Sequence, residues 1–357
     1  MRKVAFGVVG CGDVARRFYL PAMRASPDIE LAAVCDQVED RARSVREQFG
    51  AGTHYTDFKE MLARADIEAV AVLTNPQFHF SLSLQALKAG KHVFTEKTMC
   101  STLEEADTLM REAKKARLKL GSGPSVMVSA INQRIARMIR LGVIGKVCFA
   151  VSHSSHGGPA SWDDFATDPT WFYQKGAGPL FDLGIYSLHT LTGILGAAKR
   201  VSAVSGISVP EVLIRSGVAK GKTIRVGEDD NTQILLDFGD STFAYVAATF
   251  CMKAQRGPGT VFYGSEGVIT SGPGYAPGPL EVYSEREELL GARGWITANP
   301  EKTPWGVADG IGHMAACIRD DIKPIISAEH AKHVLEIMLK AYEAARTGTA
   351  QAISTTF

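Results

Sequence analysis

An apolar run, KVAFGVV (3–9), passes without a polar break into a glycine-rich turn, GCGDVA (10–15). A strand so uniformly apolar is one covered on both faces, the usual situation in parallel sheets. Its turn must then open a crossover helix. Gly10, Gly12 and Ala15 fit the spacing G-x-G-x-x-G/A. The first glycine permits a tight turn, the second lets backbone approach a pyrophosphate, and the third small residue lets helix and strand pack closely. Asp13 and Val14 complete the turn. The helix N-terminus they open offers N–H groups and a partial positive charge to phosphates. Residue types alone leave a second reading open, a glycine-rich turn that binds nothing.

The same grammar recurs downstream. ELAAVC (30–35), IEAVAVL (67–73) and HVFTE (92–96) read as further strands, and segments near 13–25, 38–49, 57–64, 77–89 and 102–117 as helices. Alternating β and α units of this length predict a doubly wound parallel sheet, an α/β Rossmann arrangement. Asp36 closes the second strand. A carboxylate there, about twenty residues past the glycines, is placed to bond adenosine ribose hydroxyls; it could also cap the following helix. It would repel a 2′-phosphate, which favours NAD as the cofactor. Arg41 and Arg43 lie within reach of the same pocket and keep NADP possible, or they form a solvated helix face.

A chain of 357 residues exceeds one ordinary core. Gly121, Gly123 and Pro124 punctuate it after one more short strand. We therefore expect a dinucleotide-binding domain over 1–122 and an α+β domain over 123–357. In the second part, helical patterns near 129–141 (stopped by Gly142), 180–195, 306–321 and 328–346 flank a strand at 146–154 and β-rich runs over 199–285. These imply a large, mostly antiparallel open sheet. The net charge of +1 leaves no electrostatic footprint for nucleic acid or an anionic membrane. No apolar run reaches the roughly twenty residues of a membrane span. Six scattered cysteines without a CxxC pair suit a reducing compartment, so a cytoplasmic location is expected. His330 and His333 have ligand-like spacing but no third ligand, and are read as surface or interface residues; no metal is expected.

The stretch FTEKT (94–98) sets Glu96 beside Lys97 where a buried strand ends. Ligands of open α/β sheets bind beyond the carboxyl ends of the strands, so this pair stands on the same edge as Gly12 and Asp36. Together with AGKHVFTEKT (89–98), the glycine fingerprint, LGVIGKV (141–147), GAGPLFDLGIYSLH (176–189), YGSEGVI (263–269) and PIISAEHAKHVLEIMLKAYEAARTG (324–348), the chain resembles the Gfo/Idh/MocA oxidoreductases. The resemblance implies a lysine, here Lys97, that touches both nicotinamide and the substrate hydroxyl. The family usually has Glu-Lys-Pro; Thr98 replaces the proline. It also implies a cofactor stretch Thr-Pro-Asn-x-x-His, found here as Thr74, Asn75, Pro76 and His79 with Asn and Pro exchanged. Asp182, Tyr186 and His189 fall at i, i+4 and i+7, one face of a regular helix. Family members carry an aspartate like Asp182 and commonly a histidine where this chain has Tyr186. The tyrosine form is similar to glucose–fructose oxidoreductase, aldose dehydrogenases and dihydrodiol dehydrogenases. Capping by Asp182 and core packing of His189 are the plain alternatives.

The implied reaction is hydride transfer from a carbinol carbon to nicotinamide. Lys97 polarises the oxygen, Tyr186 or Lys97 takes the proton, and Asp182 orients a neighbouring hydroxyl. A phenol near pKa 10 is a poor base in water, but adjacent cations favour its phenolate. The loop from 153 to 175 carries His153, His156, Trp162, Trp171 and Tyr173. Of these, Trp171 and His156 are the candidates, with His189, for a polyhydroxylated substrate, a sugar or cyclitol. Two other functions stay open: an NAD-dependent glycosidase, in which hydride leaves and returns within a cycle, and a regulatory protein that only senses the dinucleotide. Alternation in TFAYVAATF (242–250) fits a covered sheet face, and the resemblance implies a homodimer or homotetramer.

Overall fold

The computed structural model describes residues 2–272, 280–291, 293–298 and 306–357. They form two compact units.

The first unit is built on β1 (Val4–Val9), β2 (Ile29–Cys35), β3 (Thr53–Tyr55), β4 (Ala69–Val72), β5 (His92–Thr95) and β6 (Leu120–Ser122), all parallel, in the order β3-β2-β1-β4-β5-β6. All six residues of β1 are buried, as its uniform apolarity requires. The strand order reverses between β1 and β4, the place where such sheets bind ligands. The expected strands and helices are present. The edge strand β3 has no counterpart in the sequence reading: three half-buried residues are too few to show a period. The helices are α1 (Leu20–Ala25), α2 (Glu39–Phe49), α3 (Phe58–Leu62), α4 (His79–Lys88) and α5 (Leu103–Ala116).

The helical stretch expected over 13–25 is not regular. Ala15–Tyr19 is a π-helical turn, and α1 follows with Pro21 in its first turn. Proline has no N–H to give to the carbonyl four residues back and its ring crowds that carbonyl; a wider turn relieves both. This widening sets where Tyr19 points.

Two later segments also belong to this unit. Helix Asp309–Arg319 places Ile311, Met314 and Ala315 in the same core as Val4, Phe6 and Val8. From the sequence this helix falls in the 123–357 part. The unit further takes in the chain as far as Leu335, and Phe357. His330 and His333 correct an expectation: they are 3% and 0% exposed, not surface residues, and both rings pack against Phe357. Spacing along helix Ala328–Thr347 could not reveal that a distant segment covers this face.

The second unit carries β7 (Val147–Ser155), β8 (Arg200–Gly206), β9 (Glu211–Leu213), β10 (Thr223–Arg225), β11 (Asn231–Gly239), β12 (Thr242–Thr249), β13 (Thr260–Gly264), β14 (Gly267–Thr270), β15 (Leu280–Ser284), β16 (Gly294–Ala298) and β17 (Gln351–Ala352). Nine of these form one sheet in the order β16-β15-β14-β13-β7-β12-β11-β8-β17, antiparallel except for β7 beside β12. Residues 273–279 of the expected β-rich region lie outside the described residues. The helix expected near 129–141 is α6 (Ala130–Arg140), and one face of the sheet is covered by α7 (Ile185–Leu195) and by a π-helical turn, Leu180–Gly184, that leads into it. Gly184 permits the close seat: a Cβ there would lie 3.0 Å from the Cβ of Ala248 on β12. On the strands, Phe149, Val204, Leu235 and Phe243 remain exposed, and Phe149 stacks on Tyr263 at 4.4 Å. Among the described residues no helix is long and apolar enough to cross a membrane.

Candidate active site

The carboxyl edge of the parallel sheet gathers most of the candidates from the first half of the chain. Gly10 follows β1 with φ +95°. A side chain there is excluded twice, by that backbone angle and by the Leu73 backbone, 2.8 Å from where a Cβ would sit. At Gly12 the same test meets nothing within 4 Å, so the turn is open at the point where backbone should approach a pyrophosphate. Asp13 and Val14 begin the helix, with Asp13 paired to Arg17 at 3.5 Å and Val14 exposed.

Asp36 is buried at the end of β2. Its Oδ2 accepts the Cys11 N–H at 2.9 Å and its Oδ1 the Val38 N–H at 3.0 Å, while Arg41 Nη1 lies 3.4 Å from both oxygens. The carboxylate thus ties the glycine turn to the second strand. An ionised carboxylate has about four acceptor positions, so two amides leave capacity for ribose hydroxyls. Asp36 is not a helix cap: α2 starts after Val38 with no side-chain cap. The neighbouring thiols of Cys11 and Cys35 are pushed up to about 12, first by burial and next by the Asp36 carboxylate, so they stay protonated at neutral pH.

Glu96 and Lys97 follow β5. Glu96 is buried, and both of its oxygens are engaged inside the protein. Oε1 accepts the Tyr19 hydroxyl and Oε2 accepts the Lys97 backbone N–H at 2.8 Å. Tyr19, fully buried against Phe94 with ring centroids 5.6 Å apart, is a site residue that sequence reasoning missed. Its only trace in the sequence is Pro21 two positions on, the cause of the wide turn that aims it. The Glu96 carboxylate therefore fixes the backbone from which Lys97, itself half-buried, projects. The Lys97–Thr98 peptide is cis.

The loop after β4 holds Thr74, whose Oγ1 donates to the Asn75 carbonyl at 3.3 Å, then Asn75, exposed, and Pro76, which opens a short 3-10 turn. His79 is fully buried at the start of α4, with both ring nitrogens facing backbone carbonyls. Gly10, Gly12, Asp36 and the Thr74–Pro76 loop are the residues of this edge that could hold a dinucleotide.

In the second unit the regular helix expected over 180–195 is interrupted. Asp182 lies in the π-helical turn, whereas Tyr186 and His189 lie on α7. Asp182 and Tyr186 are half-buried; His189 is buried, its Nδ1 donating to the Ile185 carbonyl at 2.9 Å. That bond fixes the tautomer, because a carbonyl only accepts. His156 Nδ1 accepts the Gly158 N–H at 2.9 Å, and its ring stacks on Phe250 at 5.5 Å. Trp171 is exposed and its ring packs tilted against Phe172, with centroids 3.7 Å apart. Tyr173 is core: its hydroxyl accepts the Ala160 N–H at 3.1 Å, and burial pushes its pKa up to about 12. Among the described residues no group of three or more His, Cys, Asp or Glu could hold a metal ion.

A parallel six-stranded sheet with a glycine turn and an acidic strand end at its switch point defines an NAD-binding Rossmann oxidoreductase class, and sequence comparison agrees. Residues 4–123 match the family model described as "Oxidoreductase family, NAD-binding Rossmann fold", and residues 132–270 match the GFO/IDH/MocA C-terminal domain. The chain belongs to the Gfo/Idh/MocA oxidoreductase family. It is 29% identical over 277 residues to dTDP-3,4-didehydro-2,6-dideoxy-alpha-D-glucose 3-reductase of Streptomyces violaceoruber, covering 78% of this chain and 75% of that protein. It is also 29% identical to D-glucoside 3-dehydrogenase of Escherichia coli (strain K12), over 56% of each chain. An oxidoreductase from Agrobacterium radiobacter, solved in complex with NAD+, L-tartaric acid and magnesium, shares the fold with TM-score 0.83 at 20% identity, covering 98% of both chains.

The Glu96 arrangement yields a direct test. Tyr19→Phe keeps the ring but removes the phenol proton from a buried carboxylate. It is expected to cost about 1.5–3 kcal/mol, the range for a hydrogen bond to a charged group, read as a lower urea midpoint. An unchanged midpoint would show that the phenol does not hold Glu96.

Proposed function

We propose that this protein transfers a hydride between NAD and a carbinol carbon of a polyhydroxylated ring, a sugar or a cyclitol. The observation that carries this reading is the placement of Lys97 on a backbone held by the Glu96 carboxylate, at the same sheet edge as the glycine turn and Asp36. The relatives named above support it, since their names describe oxidation or reduction of glucose derivatives. Functionally, we assign the dinucleotide to 1–122 and the substrate to 123–357.

The nicotinamide, when bound, supplies the hydride acceptor or donor. The chain's own groups do the rest. The Lys97 ammonium polarises the carbinol oxygen. Tyr186 or Lys97 takes the hydroxyl proton, a contribution on the order of a hundred- to ten-thousand-fold. Asp182 accepts a bond from a neighbouring hydroxyl and so orients the ring. His156, Trp171 and His189 shape the remaining contacts, with the exposed face of Trp171 suited to sugar C–H surfaces. We place the protein in the cytoplasm, consistent with six free cysteines.

Lys97→Ala should lower turnover at least a thousandfold while NAD affinity stays within about threefold, because the ammonium is needed at the reacting oxygen rather than along the dinucleotide. Steady-state kinetics with a panel of aldoses, polyols and inositols, alongside NAD titration by fluorescence, measures both; wild-type turnover by this variant sinks the assignment. Net accumulation of NADH in that assay separates a dehydrogenase from a glycosidase, which releases product without it. A sensor turns over nothing. Asp36→Ser should raise the ratio of kcat/KM for NADP to that for NAD at least tenfold, by removing the charge that repels a 2′-phosphate and leaving Arg41 to meet it. The exposed row of Phe149, Leu235 and Phe243 on the open sheet is the surface we assign to a homodimer or homotetramer. Light scattering on Phe243→Glu should then show a smaller species than the wild type.

A further inference from the structure

His79 joins two loops that the sheet leaves apart. The β4–β5 ladder pairs as far as Val72 and Thr95, with one more bond from the Glu96 N–H to the Val72 carbonyl at 2.9 Å. Past that point the chain after β4 goes to Thr74 and Asn75, and the chain after β5 goes to Lys97 and Thr98. His79 stands between them. Its Nδ1 is 2.7 Å from the Thr98 carbonyl and its Nε2 is 2.9 Å from the Thr74 carbonyl.

A carbonyl only accepts, so each contact needs a ring N–H. A neutral imidazole has one and an imidazolium two. Burial pushes the His79 pKa down; the Thr98 and Thr74 carbonyls and the Glu96 carboxylate pull it back up, and the Lys97 ammonium opposes the added charge. A neutral ring thus ties one loop at a time, and a protonated ring ties both.

We propose that His79 is a positioning residue: from α4 its ring donates in alternation to the Thr98 carbonyl, on the turn that presents Lys97, and to the Thr74 carbonyl, on the loop of Thr74 and Asn75, and so keeps the reactive ammonium in register with the dinucleotide. This rests on the reading that Lys97 reacts and that the Thr74–Asn75 loop meets the cofactor. His79 touches neither reactant; it acts through two backbone carbonyls.

Two substitutions divide the ties. The amide nitrogen of His79→Asn reaches the place of Nδ1 and keeps the Thr98 tie; that of His79→Gln reaches the place of Nε2 and keeps the Thr74 tie. His79→Asn is therefore expected to weaken NAD binding about tenfold with kcat within about threefold, and His79→Gln to lower kcat about tenfold with NAD affinity within about threefold, the size of effect one hydrogen bond produces. Fluorescence titration of NAD, kcat with the best substrate and the urea midpoint are measured for both. A shared loss of stability in which both variants shift the same constant by the same factor overturns the proposal, as does no kinetic change in either. Lys97→Ala in the same assays keeps the failures apart. If it turns over normally, the reading of Lys97 has failed, while the NAD affinity of His79→Asn still reports the Thr74 tie. If it is inactive and the two His79 variants do not split, the tie alone has failed. Should neither His79 variant fold, amide exchange on the wild type decides. NAD should slow exchange in 74–79 and 97–101 together, and slowing confined to 74–79 overturns the tie.

Discussion

The buried Glu96 carboxylate, bonded on one side to the Tyr19 hydroxyl and on the other to the Lys97 N–H, is the interaction on which the candidate site rests. A carboxylate removed from water without partners is strongly disfavoured, so a buried one persists only where donors are already in place. Here the donors come from two elements distant in sequence, the wide turn before α1 and the end of β5. Each needs the other. Without Glu96 the buried phenol would lose its carboxylate acceptor and keep the longer contact to the Val307 carbonyl at 3.3 Å, and without Tyr19 the buried Glu96 would lose one of its two donors. The cooperation fixes the backbone of Lys97 before any cofactor or substrate arrives. Catalysis profits from groups held in place in this way, because little reorganisation remains for the reacting step.

Asp36 repeats the logic at β2. It also sits at the carboxyl end of a strand and gives acceptor capacity to backbone amides, those of Cys11 and Val38. It differs in having the half-exposed guanidinium of Arg41 beside it. Both acids are buried and each accepts two hydrogen bonds from the chain, but Glu96 is held between a phenol and an amide whereas Asp36 is held by two amides.

Much of this was legible in the sequence, for physical reasons that also explain the rest. The strands of the parallel sheet are apolar on both faces, and that leaves a mark in every residue of β1 and β4. The glycine turn is legible because only glycine fits at Gly10. What escaped depends on partners far along the chain or on departures from regular geometry. β3 is too short for periodicity. The burial of His330 and His333 comes from Phe357, which no local pattern announces. Helix Asp309–Arg319 looks like part of the second half, yet Ile311 and Met314 pack with Val4 and Phe6. The spacing of Asp182, Tyr186 and His189 predicted one face of a regular helix, but the π-helical turn at Leu180–Gly184 breaks that regularity at Asp182. The close approach of Gly184 to Ala248 also depends on a strand about sixty residues on, which no local pattern announces.

Two departures from the family pattern fall at this edge, Thr98 in place of proline and the exchanged order of Asn75 and Pro76. Both look damaging if side chains do the work. The structure shows a connection there that uses backbone instead. His79 meets the carbonyls of Thr74 and Thr98. Every residue type, proline included, offers a carbonyl, so a substitution at 98 leaves the acceptor in place. Thr74 lies ahead of the exchanged pair, so its carbonyl also stays available. Sequence drift at these positions can therefore alter what the loop shows to a ligand without releasing the turn that carries Lys97. The constraint moves to His79 itself, because no other side chain reaches two acceptors with two donor-capable nitrogens across a rigid ring.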